Sequence, residues 1–493
     1  MAMGYADLRE FLADLDKRGE LVRVRAPVDP VLEMGEIADR LAKRRGGGPA
    51  VLFENPIGST IPVAMNLYGT PARVRLAVGD RDPRAIGASL AAFAQPEVPH
   101  SLREGFEAFM KMKDLVVFPP KGVRWGDCQA VVKQGADVRL SELPILKTWP
   151  LDGGRYVTLP LVITRDPETG KRNVGTYRMQ VLDERRTAMH WQTHKGGAIH
   201  YQKAEARGER LAVAVAIGAD PATMLAGILP APDGIDEFLF AGYLRGARVP
   251  LVKCKTVDLE VPANAEIVLE GYVEPGERVR EGPFGDHTGY YSMPDDFPVF
   301  HVTALTHRRD PIYPATIVGK PPMEDGHIGK AIERMFLPLI RLQLPEIVDM
   351  NLPVESVFHN LMIVSIKKRY PGHARKVMAG LWGMGQLMFT KIIVVVDDDV
   401  NVHDLREILW AFPGRYDPGR DTLLLDRMPT DTLDHAAPIR DLGGKLGIDA
   451  TKKWPEEGYT REWPPVIEMD EETKGRVDAR WKEYGLPDPA GAR

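Results

Sequence analysis

Apolar positions near the start of the chain recur with a helical period. Leu8, Phe11, Leu12 and Leu15 fall at i, i+3, i+4 and i+7, which places four side chains on one buried face. Gly19 predicts the end of that helix, because glycine accepts the left-handed backbone of a C-cap. Leu21–Val24 then reads as a strand. A second helix is expected from Val31 to Arg45, stopping at Gly46-Gly47-Gly48, with a strand at Ala50–Phe53. The triple glycine reads as a helix stop, since no Gly-Lys-Ser/Thr follows to make a phosphate loop.

The texture changes after Pro119. Strand-like segments at 159–164, 173–182 and 187–193 are separated by Asp166-Pro167-Glu168-Thr169-Gly170 and Asp183-Glu184-Arg185-Arg186. Both separators carry turn chemistry, so this region predicts an antiparallel sheet or barrel. More short strands are expected near 211–217, 250–258 and 266–273, and Lys330–Leu342 reads as a helix despite Pro338. A strand at 361–367, a helix at 373–382 and a strand at 391–396 follow, the last ending in Asp397-Asp398-Asp399 ahead of a helix at His403–Trp410. Continuous apolar strands joined by a crossover helix predict a parallel pair. These shifts divide the chain into an N-terminal α/β domain at 1–118, a central β domain at 119–325, a C-terminal α/β domain at 326–449 and a polar, proline-rich arm at 450–493.

Length agrees with that division: at ~150 residues per domain, 493 residues suggest about three domains. A chain that is 44% hydrophobic and 27% charged is not intrinsically disordered. With 64 basic and 69 acidic side chains the net charge is −5, and no basic stripe points to nucleic acid. A small molecule or another copy of the chain is the expected partner. Cys128 and Cys254 stand in no metal-binding or disulfide spacing. The N-terminus lacks a signal-peptide core, and no apolar run approaches the ~18 residues of a membrane span. A soluble, cytoplasmic protein is the expectation.

Four polar pieces carry candidate chemistry. In Asn173-Val174-Gly175-Thr176-Tyr177-Arg178, residues five apart on a strand point to opposite faces, so Asn173 and Arg178 converge only if the chain bends, as Gly175 allows. An edge strand with a surface arginine fits the same spacing. In Met189-His190-Trp191-Gln192-Thr193-His194-Lys195-Gly196-Gly197, two histidines four apart share a face without the HExxH pattern of zinc proteases. Asp233-Gly234-Ile235-Asp236-Glu237 precedes an apolar helix, where acids serve either as cap or, with Asn and His, as a site for Mn²⁺ or Mg²⁺. In Glu281-Gly282-Pro283-Phe284-Gly285-Asp286, followed by His287-Thr288-Gly289-Tyr290-Tyr291, two carboxylates flank a turn that can fold them together. Held close, one is expected to move toward the protonated state while Arg178 keeps the other ionised.

Together the four pieces resemble the UbiD family of decarboxylases, which depend on prenylated FMN, and most of all the 4-hydroxy-3-polyprenylbenzoate decarboxylases of ubiquinone biosynthesis. Leu52-Phe53-Glu54-Asn55-Pro56, Gly218-Ala219-Asp220-Pro221-Ala222-Thr223, Asp258-Leu259-Glu260-Val261-Pro262, Pro345-Glu346-Ile347-Val348-Asp349 and Gly447–Pro455 extend the resemblance over essentially the whole chain. It implies a split β-barrel of flavin-reductase type between two α/β domains, the C-terminal one dimerising. It assigns Asn173, His194 and Glu237 to a divalent metal, usually Mn²⁺, with K⁺ as a further candidate. Asn173, Thr176, Tyr177, Arg178, His190, Trp191, Gln192, Lys195, Gly196 and Lys391 would line the cofactor. Arg178, Glu281 and Asp286 would form the catalytic set, with Asp286 protonating the substrate carbon. The implied partners are an aromatic carboxylic acid, a flavin prenyltransferase that supplies the cofactor, and further copies in a dimer or hexamer. Peripheral membrane contact is compatible with the resemblance. His190 stands where the ubiquinone-pathway enzymes carry Arg, which opens the expectation to other aromatic and heteroaromatic acids. An FMN reductase on the same barrel is the competing class, but Gly383-Met384-Gly385 lacks the third glycine of a nicotinamide-binding fingerprint.

Overall fold

A computed structural model describes residues 4–94, 118–193, 195–229 and 236–487. The first helix runs Leu8–Lys17, with the Asp7 side chain capping it by accepting from the Glu10 amide and with Leu8, Phe11, Leu12 and Leu15 all buried. Gly19 follows with φ +71°, the conformation its position predicted. The second helix is shorter than the apolar pattern suggested, Glu33–Ala42, because the chain unwinds before the glycines, and Gly46 and Gly47 adopt positive φ. Strands Leu21–Val28, Ala50–Pro56 and Val63–Met65 form a sheet that takes its fourth strand, Tyr313–Pro314, from far along the chain.

The centre is a nine-stranded sheet. Its backbone is a long antiparallel pair, Ile267–Glu281 with Asp295–His307. Leu211–Ile217, Pro160–Arg165 and Arg172–Gly175 continue it on one side, and Arg186–Met189, Met179–Val181 and Tyr156–Val157 on the other. The stretch expected as one strand at 173–182 is therefore two strands on opposite sides of the sheet, parted at Thr176–Arg178. The strand expected at 250–258 ends at Lys253, and Glu260–Pro262 folds back antiparallel to it.

The C-terminal sheet has five strands in the order Ile347–Asn351, Leu361–Ile366, Ile392–Asp397, Leu442–Ala450, Thr422–Pro429, and its three middle strands are parallel. Both faces are covered, which explains the unbroken apolar runs. Val364, Ile366, Ile393 and Val395 pack under helix His373–Trp382, whereas Ile363, Val394 and Val396 face helix Leu405–Arg415. The helix through Pro338 runs Glu324–Gln343 and links this unit to the centre. Beyond Ala450 the chain makes little core, and helix Glu471–Arg480 buries no residue. Among the described residues no helix is long and apolar enough to cross a membrane.

Candidate active site

The bend predicted at Gly175 has a specific cause. A Cβ there would lie 2.4 Å from the Tyr177 hydroxyl, so only glycine lets that ring fold back on the strand end. The chain leaves the sheet, with the Thr176 amide donating to Gly227 at 3.2 Å, and re-enters it at Met179. Asn173 and Arg178 thereby line one cavity of about 1170 Å³. Thr176, Tyr177, His190, Gln192, Lys195, Gly196, Glu237 and Asp286 share its wall. Trp191 stands behind that wall between Tyr177 and Tyr201. Lys391 lies off it, its ammonium held by Asp434 at 2.7 Å. His194 falls outside the described residues.

The Arg178 guanidinium is the hub of the polar end. Nε donates to Glu281 Oε1 at 2.9 Å, Nη2 to Glu281 Oε2 at 3.3 Å and to Ser292 at 3.0 Å, and Nη1 to Asp286. Its flat face rests on the Phe284 ring, 4.4 Å from the centroid. Glu281 ends the long strand and is fully buried, reaching the cavity only through its partners. His190 Nδ1 donates to Glu281 Oε2 at 3.1 Å. Burial, then the charge of Arg178, lowers the His190 pKa, so the ring is neutral and its buried Nε2 is an acceptor without a partner among the described residues. Asp152 braces the turn by accepting from the Gly285 amide at 2.8 Å.

The expected division of the two carboxylates into one protonated and one ionised does not occur. Burial pushes Glu281 up, but the His190 hydrogen bond and the Arg178 charge outweigh it and hold the group at about 2. Asp286 is likewise held well below the usual carboxylate range: burial opposes this, but Arg178 first and then His287 prevail. A cation between two carboxylates removes the repulsion that would have raised one of them. Elsewhere in the wall, burial pushes Glu324 up to about 7 and Asp325 up to about 6.

Opposite Arg178 lies a cradle for a larger group. Asp236 caps helix Glu237–Arg245 by accepting from the Phe238 amide at 2.9 Å, and Arg172 braces it at 3.1 Å. The capping reading thus holds for Asp236 but not for Glu237, whose Oε2 is buried without a partner among the described residues. Burial raises Glu237 to about 7. Asn173 lies alongside, and a Cβ at Gly196 would fall 2.0 Å from its Oδ1. Thr176 Oγ1 is a further buried hydroxyl without a partner among the described residues, and burial lowers the Lys195 ammonium. An orphaned carboxylate oxygen, an orphaned hydroxyl, a desolvated ammonium and a helix N-terminus at Gly196 suit a metal-bound phosphate. The residues present fit such a group. His287, Asp325, Ser292 and Asp152 were not singled out by sequence reasoning. His287 was visible in the 281–291 motif, whereas the others had no local signal.

Comparison with known proteins places this geometry. Sequence models of the three domains described as 3-octaprenyl-4-hydroxybenzoate carboxy-lyase match residues 12–92 (N-terminal), 121–321 (Rift-related) and 326–450 (C-terminal). An uncharacterized protein of Archaeoglobus fulgidus is 57% identical over 482 residues, covering 98% of this chain and 99% of the relative. The closed form of vanillic acid decarboxylase from Sedimentibacter hydroxybenzoicus superposes with a TM-score of 0.84 at 30% identity, over 97% of this chain and 99% of that one. An evolved dimeric form of the UbiD-class enzyme HmfF from Pelotomaculum thermopropionicum, in complex with prFMN, gives 0.76 at 31% identity, over 94% and 97%. From residue 12 to residue 450, through all three domains, the chain belongs to the UbiD family of carboxy-lyases.

Proposed function

We propose that this carboxy-lyase catalyses the reversible, non-oxidative decarboxylation of an aromatic acid on prenylated FMN, with Mn²⁺ as the accompanying metal. The observation that carries the reading is Arg178 bracketed by Glu281 and Asp286 at one end of a cavity whose other end offers a metal and phosphate cradle. Asn173, Glu237 and His194 would hold the ion, and Thr176, Gln192, Lys195 and Gly196 the phosphate side of the cofactor. When bound, the cofactor supplies an electrophilic ring that takes up the electron pair freed as CO₂ leaves. The chain's own residues do the rest. Arg178 has five N–H donors; four are spent on Glu281, Ser292 and Asp286, and one on Nη1 remains for the substrate carboxylate. Glu281 fixes the guanidinium, Phe284 and Phe358 flank the ring of the acid, and Asp286 delivers the proton to the carbon that loses CO₂.

The first substrate to test is 4-hydroxy-3-prenylbenzoate, the soluble form of the polyprenylated acid. Protein loaded with prenylated FMN and Mn²⁺ is expected to give the decarboxylated phenol above a cofactor-free control, measured by chromatography. Product from vanillate but not from the prenylated acid would move the substrate to the smaller phenolic acids, as His190 in place of Arg allows. No product from either acid with demonstrably loaded protein would overturn a phenolic-acid substrate and point to a different aromatic or heteroaromatic acid, with His190 the first residue to vary. The same proposal takes the central sheet as the split barrel, the functional unit as a cytoplasmic homo-oligomer, and a flavin prenyltransferase as the source of the cofactor.

A further inference from the structure

Asp286 is ionised and ion-paired, so a group meant to donate a proton holds none in this state. The side chains behind it supply an answer. His287 Nδ1 donates to Asp286 Oδ1 at 2.8 Å, and His287 Nε2 meets His359 Nε2 at 3.0 Å. His359 comes from the segment ahead of strand Leu361–Ile366, so the chain of bonds crosses from the central unit to the C-terminal one. Phe358 stacks on His287 at 5.6 Å and abuts His359, which fixes both rings. At the far end, His359 Nδ1 is buried and has no partner among the described residues.

We propose that Asp286, His287 and His359 form a proton relay that recharges Asp286 between turnovers, with His359 Nδ1 as the entry point. The inference rests on the decarboxylase reading for its purpose, though not for its geometry. With His287 neutral and protonated on Nδ1, His359 donates its Nε2–H to His287 Nε2. A proton arriving at His359 Nδ1 lets the Nε2 proton cross to His287, and the Nδ1 proton of His287 then passes to Asp286. One proton enters from water and one is given to the carbon that has lost CO₂; each ring, left in its other tautomer, exchanges its ring proton with water before the next pass. His287 and His359 act through Asp286 and are positioning residues.

The charges around the pair suit a single shared proton. Burial lowers His287, but Asp286 and then Asp325 and Asp431 more than offset it, leaving the imidazole above its ordinary value. Burial and the His287 charge pull His359 down to about 4, against weaker raising by Asp431 and Asp434, with Lys195 adding to the fall. A proton that enters at His359 is therefore passed on to His287, one step from Asp286.

Two experiments on the full chain test this. In holoenzyme, His359→Gln keeps a hydrogen-bond donor for His287 Nε2 but cannot pass a proton. It is expected to release one equivalent of CO₂ per site at the wild-type rate and then to turn over about 10- to 100-fold more slowly, with kcat/KM unchanged. In His359→Ala, added imidazole is expected to restore the steady-state rate. A first turnover slowed as much as the later ones, or a steady state equal to wild type, would overturn the relay. In cofactor-free protein labelled on the histidine ring nitrogens, His359→Ala removes the donor that stabilises the neutral His287 ring and is expected to raise the pH at which His287 titrates. An unchanged His287 titration would overturn the relay even if the holoenzyme reading stands. Failure of wild-type protein to release CO₂ would instead sink the proposed function and leave the titration result intact.

Discussion

Arg178→Gln tests the electrostatic reading of the site most directly, because it removes the cation that keeps two buried carboxylates ionised. Glu281 is held at about 2 against an ordinary value of 4.5. At about 1.4 kcal/mol per tenfold in acidity, the environment shared by His190 and Arg178 is worth about 3 kcal/mol at neutral pH. Removing one partner of a buried ion pair costs about 3–5 kcal/mol, because the other charge is left stranded. If the central unit of about 200 residues unfolds on its own, that loss lowers its Tm by about 6–12 °C. The sign of the pH dependence is the sharper test. In the wild type both carboxylates are depressed, so their stabilisation is complete above pH 4.5 and is lost only as pH falls toward 2. In the variant, burial acts unopposed by the guanidinium and the folded carboxyls rise above their unfolded values. Their contribution is then present at low pH and lost as pH rises. Calorimetry of cofactor-free protein should therefore show the Tm deficit at its largest at pH 8 and reduced at pH 5. A deficit that is constant from pH 5 to 8, or absent, would refute this account of the triad.

Other consequences can be checked separately. Gly196→Ala places a methyl 2.0 Å from Asn173 Oδ1, and displacing that side chain should cut retention of bound flavin at least about tenfold, read from the absorbance of purified protein; overpacking of about 1–3 kcal/mol leaves the fold intact. Metal binding at Glu237, raised to about 7 by burial, should release a proton below neutrality, so Mn²⁺ affinity measured by calorimetry should rise about tenfold from pH 6 to 7 and level off above. Glu237→Gln should abolish both the binding and its pH dependence, and Mn²⁺ binding that survives in this variant would remove Glu237 from the cradle.

Much of the architecture was legible because burial leaves periodic traces. Leu8, Phe11, Leu12 and Leu15 announced their helix, and the unbroken Ile392–Val396 run announced a strand covered on both faces. The bend at Gly175 was legible for the same local reason, since a strand cannot turn two side chains five apart to one side. Helix and strand ends were less so: Glu33–Ala42 falls short of its apolar pattern because tertiary contacts, not propensity, set where it unwinds. The charge states of Glu281 and Asp286 were misread from proximity alone. Whether two carboxylates repel depends on what lies between them; Arg178 was expected to hold only one of them ionised, whereas its guanidinium bridges both. His359 was invisible because it is joined to His287 only when the two units dock.

The long antiparallel pair pins Glu281 opposite Asp295, and everything between them is the connection of a single hairpin. Asp286, His287 and Ser292 all ride on that connection, while Tyr290 and Met293 on the same stretch point outward and are largely exposed. The polar end of the cavity is thus an insert on a fixed stem: the sheet sets where Glu281 stands, and the turn beyond it sets how far Asp286 and His287 reach toward the C-terminal unit.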